Sequence, residues 1–145
     1  MADVTKIDID GIQWDIKDQV ARNKVAEIEQ LLKTETIDNI PIVLNSGTSA
    51  SEARIASIQK FGKMYVGLII LEDINASNIG TINRVNVGTV NINVLNSTYS
   101  LGFDYKSGKN LRIRINPDKS ITIEESIGVA NNNNGIRAPI TWIEP

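Results

Sequence analysis

The 145-residue chain has a net charge of −2 and a hydrophobic content of 41%, which suits one ordinary domain or a small domain with an added module. This charge gives no electrostatic reason to expect nucleic acid or an anionic membrane as a partner. The sequence has no cysteine and no histidine, which excludes thiolate catalysis, Cys/His zinc sites and Ser-His-Asp triads. We assign no metal-ligating residue and expect no cofactor.

The N-terminal residues predict a β-hairpin over Val4–Ile16. Apolar residues alternate with polar ones on both sides of Asp10-Gly11, a strong two-residue turn signal. A two-stranded hairpin is unstable alone. In addition, Trp14 would leave a large apolar surface exposed unless another part of the protein or a partner covered it. The first ten residues are acidic and lack a hydrophobic region, so we expect no secretory signal, and no apolar run is long enough to insert in a membrane.

The next segment, Asp15 to Lys33, has the only clear helical pattern. Its apolar positions recur with spacings of four, three and four, which matches the a and d positions of a heptad. These seam positions are Ala21, Val25, Ile28 and Leu32. A helix of this length is marginal alone, so it packs either on its own β core or on copies of itself as a short coiled coil. The position between a hairpin and a β module favours the coiled coil.

After the helix, residues 34–39 are expected to end the helical segment, and residues 35–51 are interpreted as a linker with an extended run at 40–44. Residues 52–145 carry strand patterns to the end of the chain. We therefore divide the chain into a hairpin and coiled-coil helix at 1–34, the linker, and a β head.

The head pattern predicts seven or eight short strands separated by turns, typical of an antiparallel β-sandwich or barrel. Residues 64–71 are apolar on both faces, and residues 72–80 are expected to form a loop. The alternation shifts by one residue at Gly88, which indicates a β-bulge. Residues 111–123 predict a hairpin with Arg112 and Arg114 on its outer face.

Candidate ligand contacts in the head are few, because aromatic residues are only 5% of the chain. Tyr65 and Phe103 lie in apolar strands and are interpreted as core. The candidates are Tyr99, Asp104 and Tyr105 around one strand, Trp142 in the last strand, and Arg137 beside an asparagine-rich loop. The acidic pairs Glu72-Asp73 and Glu124-Glu125 are expected to point to opposite faces of their strands, a poor arrangement for the paired carboxylates of a glycosidase.

Several short motifs resemble phage tail proteins. Ile9-Asp10-Gly11, followed by Trp14–Asp18 and Ala21-Arg22, resembles the N-termini of tail-tip proteins in phages of Gram-positive bacteria. The run Ile58–Met64, the segment Asn110–Ile123 and the closing Gly135-Ile136-Arg137 strand look like the β-head domains of tail fibres and receptor-binding proteins.

The resemblance implies a homotrimer in the tail tip of the virion, made in the bacterial cytoplasm. Its N-terminus, including Trp14, would dock on a baseplate or tail protein, and its head would bind a host cell-wall saccharide without catalysis. The chain departs from the family pattern in its helix, which offers barely two heptads where many members have a longer shaft. A structural tail component without a receptor of its own has the same sequence features, so that alternative stays open.

Overall fold

A computed structural model of the chain describes residues 6–9, 12–15, 19–125 and 134–145, and it divides into two compact units, 1–33 and 34–145. In the first unit, β1 (Lys6–Ile9) and β2 (Ile12–Asp15) pair antiparallel. Ile7 lies opposite Trp14 in this pairing. The turn predicted at Asp10-Gly11 lies outside the described residues.

The first unit continues with α1 (Gln19–Leu32). The helix begins later than the predicted Asp15, because Asp15 ends β2. Two seam positions, Val25 and Ile28, are each 53% exposed, and the side chains of the other two, Ala21 and Leu32, are outside the description. No helix among the described residues is both long and apolar enough to cross a membrane.

The second unit is an antiparallel β-barrel. Its strands are β3 (Thr34–Ile37), β4 (Ile40–Leu44), β5 (Thr48–Ser49), β6 (Glu52–Phe61), β7 (Met64–Ala76), β8 (Arg84–Val90), β9 (Thr98–Asp104), β10 (Lys109–Ile115), β11 (Ser120–Glu124) and β12 (Asn134–Ile143). Eight strands follow one another around the barrel as β6-β4-β8-β11-β10-β9-β12-β7, and β7 pairs with β6 to close it. β3 and β5 add to β6 and β7 outside this ring. The sequence left sandwich and barrel open, and the structure is a closed barrel.

The barrel interior is filled by aliphatic side chains, as expected for eight strands, whose interior is just wide enough for side chains to fill. The largest fully buried side chains are all isoleucine or leucine: Ile55, Ile58, Ile69, Leu71, Ile74, Ile79, Leu111, Ile113, Ile115, Ile121, Ile123 and Ile136. The core of this unit therefore comes from strands throughout its sequence.

The segment expected to be a linker contains strands. Residues 34–37 pair with 58–61 of β6, and β4 bridges β6 and β8. Ile42 is buried in the core, which explains why this segment is held against the barrel. The Ser- and Gly-rich part forms a tight turn in which the Thr48 amide donates to the Asn45 carbonyl at 3.0 Å and Gly47 has a φ of 81°.

The bulge predicted at Gly88 is confirmed. Ile121 lies opposite Gly88 and Thr122 lies opposite Asn86, so Val87 is the additional residue in β8. A Cβ at position 88 would collide with the carbonyl oxygen of Val43 on β4. Glycine is therefore required where β8 approaches β4 at this bulge.

Candidate functional site

The outer face of β9 carries an exposed row of side chains. Alternate residues of this strand point inward, where a Cβ at Gly102 would come within 2.9 Å of Leu111. The outward-facing residues of β9, and Tyr105 directly after the strand, are 46% to 72% exposed. We call them the β9 stripe: Tyr99, Leu101, Phe103 and Tyr105. The stripe spans about 20 Å at the usual rise of a strand, and an exposed apolar row of this kind is a candidate binding surface.

Phe103 was predicted to lie in the core, and this is wrong. The strand alternation places Gly102 and Asp104 inside, which leaves Phe103 on the surface with 46% of its area exposed. Tyr65, predicted as core by the same argument, is buried. The apolar character of the surrounding residues did not distinguish the two faces of β9, because its outer face is also apolar.

Beside one end of the stripe lies a group of polar side chains centred on a carboxylate. Glu72 on β7 accepts a hydrogen bond from the Tyr105 hydroxyl and pairs with the Arg137 guanidinium of β12. Arg137 is also the cross-strand neighbour of Phe103. We call Glu72, Asp73, Tyr105, Lys106 and Arg137 the Glu72 cluster. It places an aromatic ring, carboxylates and a guanidinium on one outer surface.

A bulge in β7 builds this cluster. Leu71 and Ile74 are both fully buried although two residues separate them, and they lie opposite Ile136 and Asn134 of β12. The extra residue, with Asp73 at a φ of 49°, turns both carboxylates outward. The expected loop at 72–80 is therefore wrong for residues 72–76, because β7 continues through the bulge to Ala76, while residues 77–80 form a turn. The expectation of opposite faces for Glu72 and Asp73 is also wrong.

Asp73 is held by two partners. Its carboxylate pairs with Lys106 and accepts a hydrogen bond from the Ser51 hydroxyl at 2.7 Å. These contacts lower the pKa of Asp73, with the Lys106 hydrogen bond as the larger cause, and the same pair raises the pKa of Lys106. The pair is therefore charged across the neutral pH range.

Tyr105 is positioned by packing and by charge. A Cβ at residue 135 would collide with the Tyr105 ring, so Gly135 allows the ring to lie against β12. The hydrogen bond to Glu72 raises the pKa of the Tyr105 hydroxyl, which keeps it protonated and donating. The ring is still 47% exposed, so it offers a fixed aromatic surface to a ligand.

Asp104 has a structural role in this unit. It is fully buried, and its carboxylate accepts from the backbone amides of Lys106 at 3.2 Å, Ser107 at 3.3 Å and Gly135 at 3.1 Å. The carboxylate therefore fixes the β9–β10 turn and the start of β12. The structure places this candidate beneath the Glu72 cluster, where it supports Tyr105 and Lys106 and has no surface to offer a ligand.

Trp142 also lies away from the stripe, in the core. It is 3% exposed and stacks on Tyr65 with ring centroids 5.0 Å apart. It forms one wall of a cavity of about 220 Å³ beside residues 95–98. The Trp142 Nε1 atom is buried and has no hydrogen-bond partner among the described residues. Trp142 therefore contributes to the packing of the barrel core, where it stacks on Tyr65.

The other end of the stripe lies against two arginines. The guanidinium carbons of Arg112 and Arg114 lie 5.5 and 5.8 Å from the centroid of the Tyr99 ring, within cation–π distance. Arg114 also donates a long hydrogen bond to the Tyr99 hydroxyl at 3.4 Å. Both arginines face outward, as the sequence pattern predicted.

The sequence candidates therefore divide into three groups. Tyr105 and Arg137 lie together in the Glu72 cluster, Tyr99 lies at the far end of the stripe, and Trp142 and Asp104 are buried. Sequence reasoning missed Glu72, Asp73 and Lys106 as members of the site. The one available signal was the tolerance of aspartate for left-handed backbone conformations, which permits a bulge at Asp73.

The chain was compared with known families, curated proteins and solved structures. No family model matches it, and no curated protein matches it. Among solved structures it is similar to the crystal structure of the receptor binding protein (gp15) of Listeria phage PSA. The two chains are 14% identical, the match covers 88% of this chain and 75% of that chain, and the TM-score is 0.44.

Proposed function

We propose that this chain is a host-adhesion protein of a phage tail, and that its barrel binds a host cell-surface saccharide at the Glu72 cluster and the adjoining β9 stripe. The sequence motifs at both ends of the chain support the phage tail assignment. The observation that carries the binding role is the exposed aromatic stripe with Glu72 and Arg137 beside it. Saccharide sites combine aromatic surfaces with a few fixed polar groups of this kind.

The Glu72 cluster is organised before a ligand arrives. Glu72 is only 15% exposed at its side chain while Arg137 is 46% exposed, so the carboxylate acts mainly by holding Arg137 and Tyr105 in place. The outward-facing guanidinium and ring then meet hydroxyl groups and the apolar face of a sugar. Preorganised groups lose less entropy on binding.

The N-terminal unit supplies attachment and assembly in this proposal. Val25 and Ile28 are apolar and half exposed in the single chain, and a coiled-coil seam in a homotrimer would cover them. Trp14 and its hairpin would dock on a baseplate or tail protein. Three heads on one axis would then bind a repetitive surface with avidity, even if each contact is weak.

Binding of the purified protein to cell walls from a panel of Gram-positive strains tests this proposal. We expect binding to the walls of some strains, and loss of binding after periodate oxidation of the wall saccharides. Arg137→Gln removes the guanidinium and is expected to weaken binding about tenfold, the usual effect of one hydrogen bond to a charged group.

Lys60→Gln is the matched control, because Lys60 also pairs with a glutamate, Glu35, and lies at the end of β6 away from the strand position that faces Glu72. If the protein bound no wall, or if Lys60→Gln weakened wall binding as much as Arg137→Gln, the proposal would be wrong. Absence of wall binding together with capture of a tail protein by the same preparation would instead favour the purely structural tail component.

A further inference from the structure

The barrel wall is loosely joined between β9 and β12. The backbone pairing of these two strands ends at the pair of Arg137 and Phe103, whereas β12 pairs with β7 on its other side as far as Ile143. Pro139 lies just beyond the last β9 pair and has no amide hydrogen to donate to a neighbouring strand. The regular ladder between β9 and β12 therefore stops in the middle of β12.

Side-chain hydroxyls connect the two strands past this point. Ser100 of β9 donates to the carbonyl of Pro139, and Thr98 donates to the carbonyl of Thr141 at 2.6 Å. A hydroxyl group that replaces a backbone amide as donor leaves the two backbones farther apart than in a regular ladder. The strands therefore diverge toward the end of β12.

The gap between the diverging strands leads to the cavity beside Trp142. The cavity has a volume of about 220 Å³ and is lined by residues 95–98 and 141–143. At about 30 Å³ for each water molecule it has room for about seven, which suits one substituent of a sugar ring and its neighbouring atoms. Since Thr98 directly precedes Tyr99, the cavity adjoins the Tyr99 end of the β9 stripe.

The cavity wall combines apolar surface with one free amide. Leu95 and Ile143 are apolar and 55% and 51% exposed, and Trp142 forms a further wall. Asn96 also lines the cavity, and its side chain has no hydrogen-bond partner among the described residues. None of the described residues that line the cavity is charged. The wall therefore offers apolar contacts beside a free donor and a free acceptor.

An acetamido group has the complementary chemistry. Its methyl group matches the apolar contacts of Leu95 and Ile143, and its carbonyl oxygen and N–H match the donor and the acceptor of the Asn96 amide. A carboxylate or a phosphate would have no counterion in this wall, and burying an unpaired charge is unfavourable. A hydroxyl group alone has no methyl group to cover the apolar wall.

We propose that the cavity beside Trp142 is a second ligand pocket, which takes the acetamido group of an uncharged sugar residue. This inference rests on the proposed function, because the sugar residue belongs to the saccharide that lies along the β9 stripe. It adds a pocket at the Tyr99 end of the stripe and a preference for an acetamido group over a hydroxyl group.

NMR titration of the ¹⁵N-labelled full chain with four sugars tests this inference. The probes are N-acetylglucosamine and N-acetylgalactosamine, each compared with the parent hexose, which has a hydroxyl in place of the acetamido group. We expect at least one acetamido sugar to shift the amides of residues 95–98, with a dissociation constant of about 1 mM, as expected for a ligand of this size. The parent hexoses are expected to leave these signals unchanged.

The indole N–H of Trp142 gives a second signal at the cavity. Its Nε1 atom is buried and has no hydrogen-bond partner among the described residues, so the signal responds to a ligand that enters beside the ring. The chain has two tryptophans, and Trp14→Phe identifies which indole signal belongs to Trp142. We expect this signal to shift with the same dissociation constant as the amides of residues 95–98.

A pair of asparagine substitutions tests the assigned hydrogen bonds. Asn96→Ala removes the free amide and is expected to weaken binding of the acetamido sugar about fivefold, the usual effect of one neutral hydrogen bond. Asn93→Ala is the matched control, because Asn93 is exposed in the same segment and does not line the cavity. It is expected to leave the affinity unchanged.

Absence of shifts at residues 95–98 and Trp142 with both acetamido sugars, or equal shifts with the parent hexoses, would overturn the pocket. Equal effects of Asn96→Ala and Asn93→Ala would also overturn it. Any of these results with intact wall binding would leave the proposed function standing. Failure of the wild-type protein to bind any cell wall would instead remove the proposed function, so the two failures are distinguishable.

Discussion

The buried Glu124 carboxylate allows a direct test of how the outer face of the barrel is held. Glu124→Gln preserves the shape of the side chain and removes its charge. The three guanidinium groups of Arg84, Arg112 and Arg114 then lose their common counterion and repel one another. We therefore expect the barrel to be destabilised, even though the substituted residue lies outside the aliphatic core.

The structure sets the size of this effect. Only the Arg112 contact has hydrogen-bond geometry, while Oε1 lies within ion-pair distance of Arg84 and Arg114 without such a bond. Loss of one hydrogen bond to a charged group costs about 1.5–3 kcal/mol. Breaking a fully buried ion pair costs about 3–5 kcal/mol, but water reaches Arg84 and Arg112, which are 63% and 44% exposed. We expect a loss of about 2 kcal/mol in the free energy of unfolding.

Urea and thermal unfolding of the full chain, followed by circular dichroism, measure this loss. For a unit of this size it corresponds to a fall of about 8 °C in melting temperature. Glu125→Gln is the matched control, because this neighbour is 56% exposed and a surface change of this kind costs less than about 0.5 kcal/mol. Equal stabilities of the two variants would refute the role assigned to Glu124.

Three further predictions follow from other parts of the chain. Val25→Asp or Ile28→Asp is expected to convert a trimer of about three times 15.9 kDa into monomers in light scattering, and a wild-type monomer would contradict the coiled-coil seam. Gly88→Ala is expected to destabilise the barrel by about 1–3 kcal/mol in urea unfolding, because its Cβ collides with backbone; wild-type stability would show that β8 can move away.

The carboxyl carbon of Asp73 is expected to titrate in NMR below the ordinary aspartate pKa, because Lys106 lowers it. A lowered folded-state pKa stabilises the fold above the ordinary pKa, and the contribution is lost as the pH falls through the lowered value. Lys106→Gln is expected to bring the midpoint back toward the ordinary value, and an unchanged midpoint would argue against this pair.

Sequence reasoning predicted the local elements of the barrel better than its closure. The hairpin of β10 and β11, with Arg112 and Arg114 outside, follows from simple alternation, and the bulge at Gly88 follows from a shift in that alternation. Closure depends on the pairing of β7 with both β6 and β12, and β12 is the last strand of the chain. Periodicity within a strand has no information about such distant partners.

The predicted site was incomplete for a different physical reason. Tyr105 and Arg137 were expected at the surface from their residue types and neighbours. Glu72 was assigned to a loop, because no glycine or proline marks the bulge that turns it outward. Trp142 was ambiguous, since strand alternation with Thr141 and Ile143 does not say which face is the core. In the structure Trp142 faces the core and stacks on Tyr65. Tyr65 is 77 positions away in the sequence (142 − 65), so alternation within one strand could not predict this contact.

Binding of a saccharide along the β9 stripe is the central claim, and NMR tests it most directly. A ¹⁵N-labelled full chain would be titrated with soluble oligosaccharide released from a cell wall that the protein binds. We predict that amide shifts change along β9 and at Arg137 of β12, and that the β4 amides on the far side of the ring remain unchanged. Shifts confined to β4 and β6, or no shifts at saturating oligosaccharide, would contradict the account.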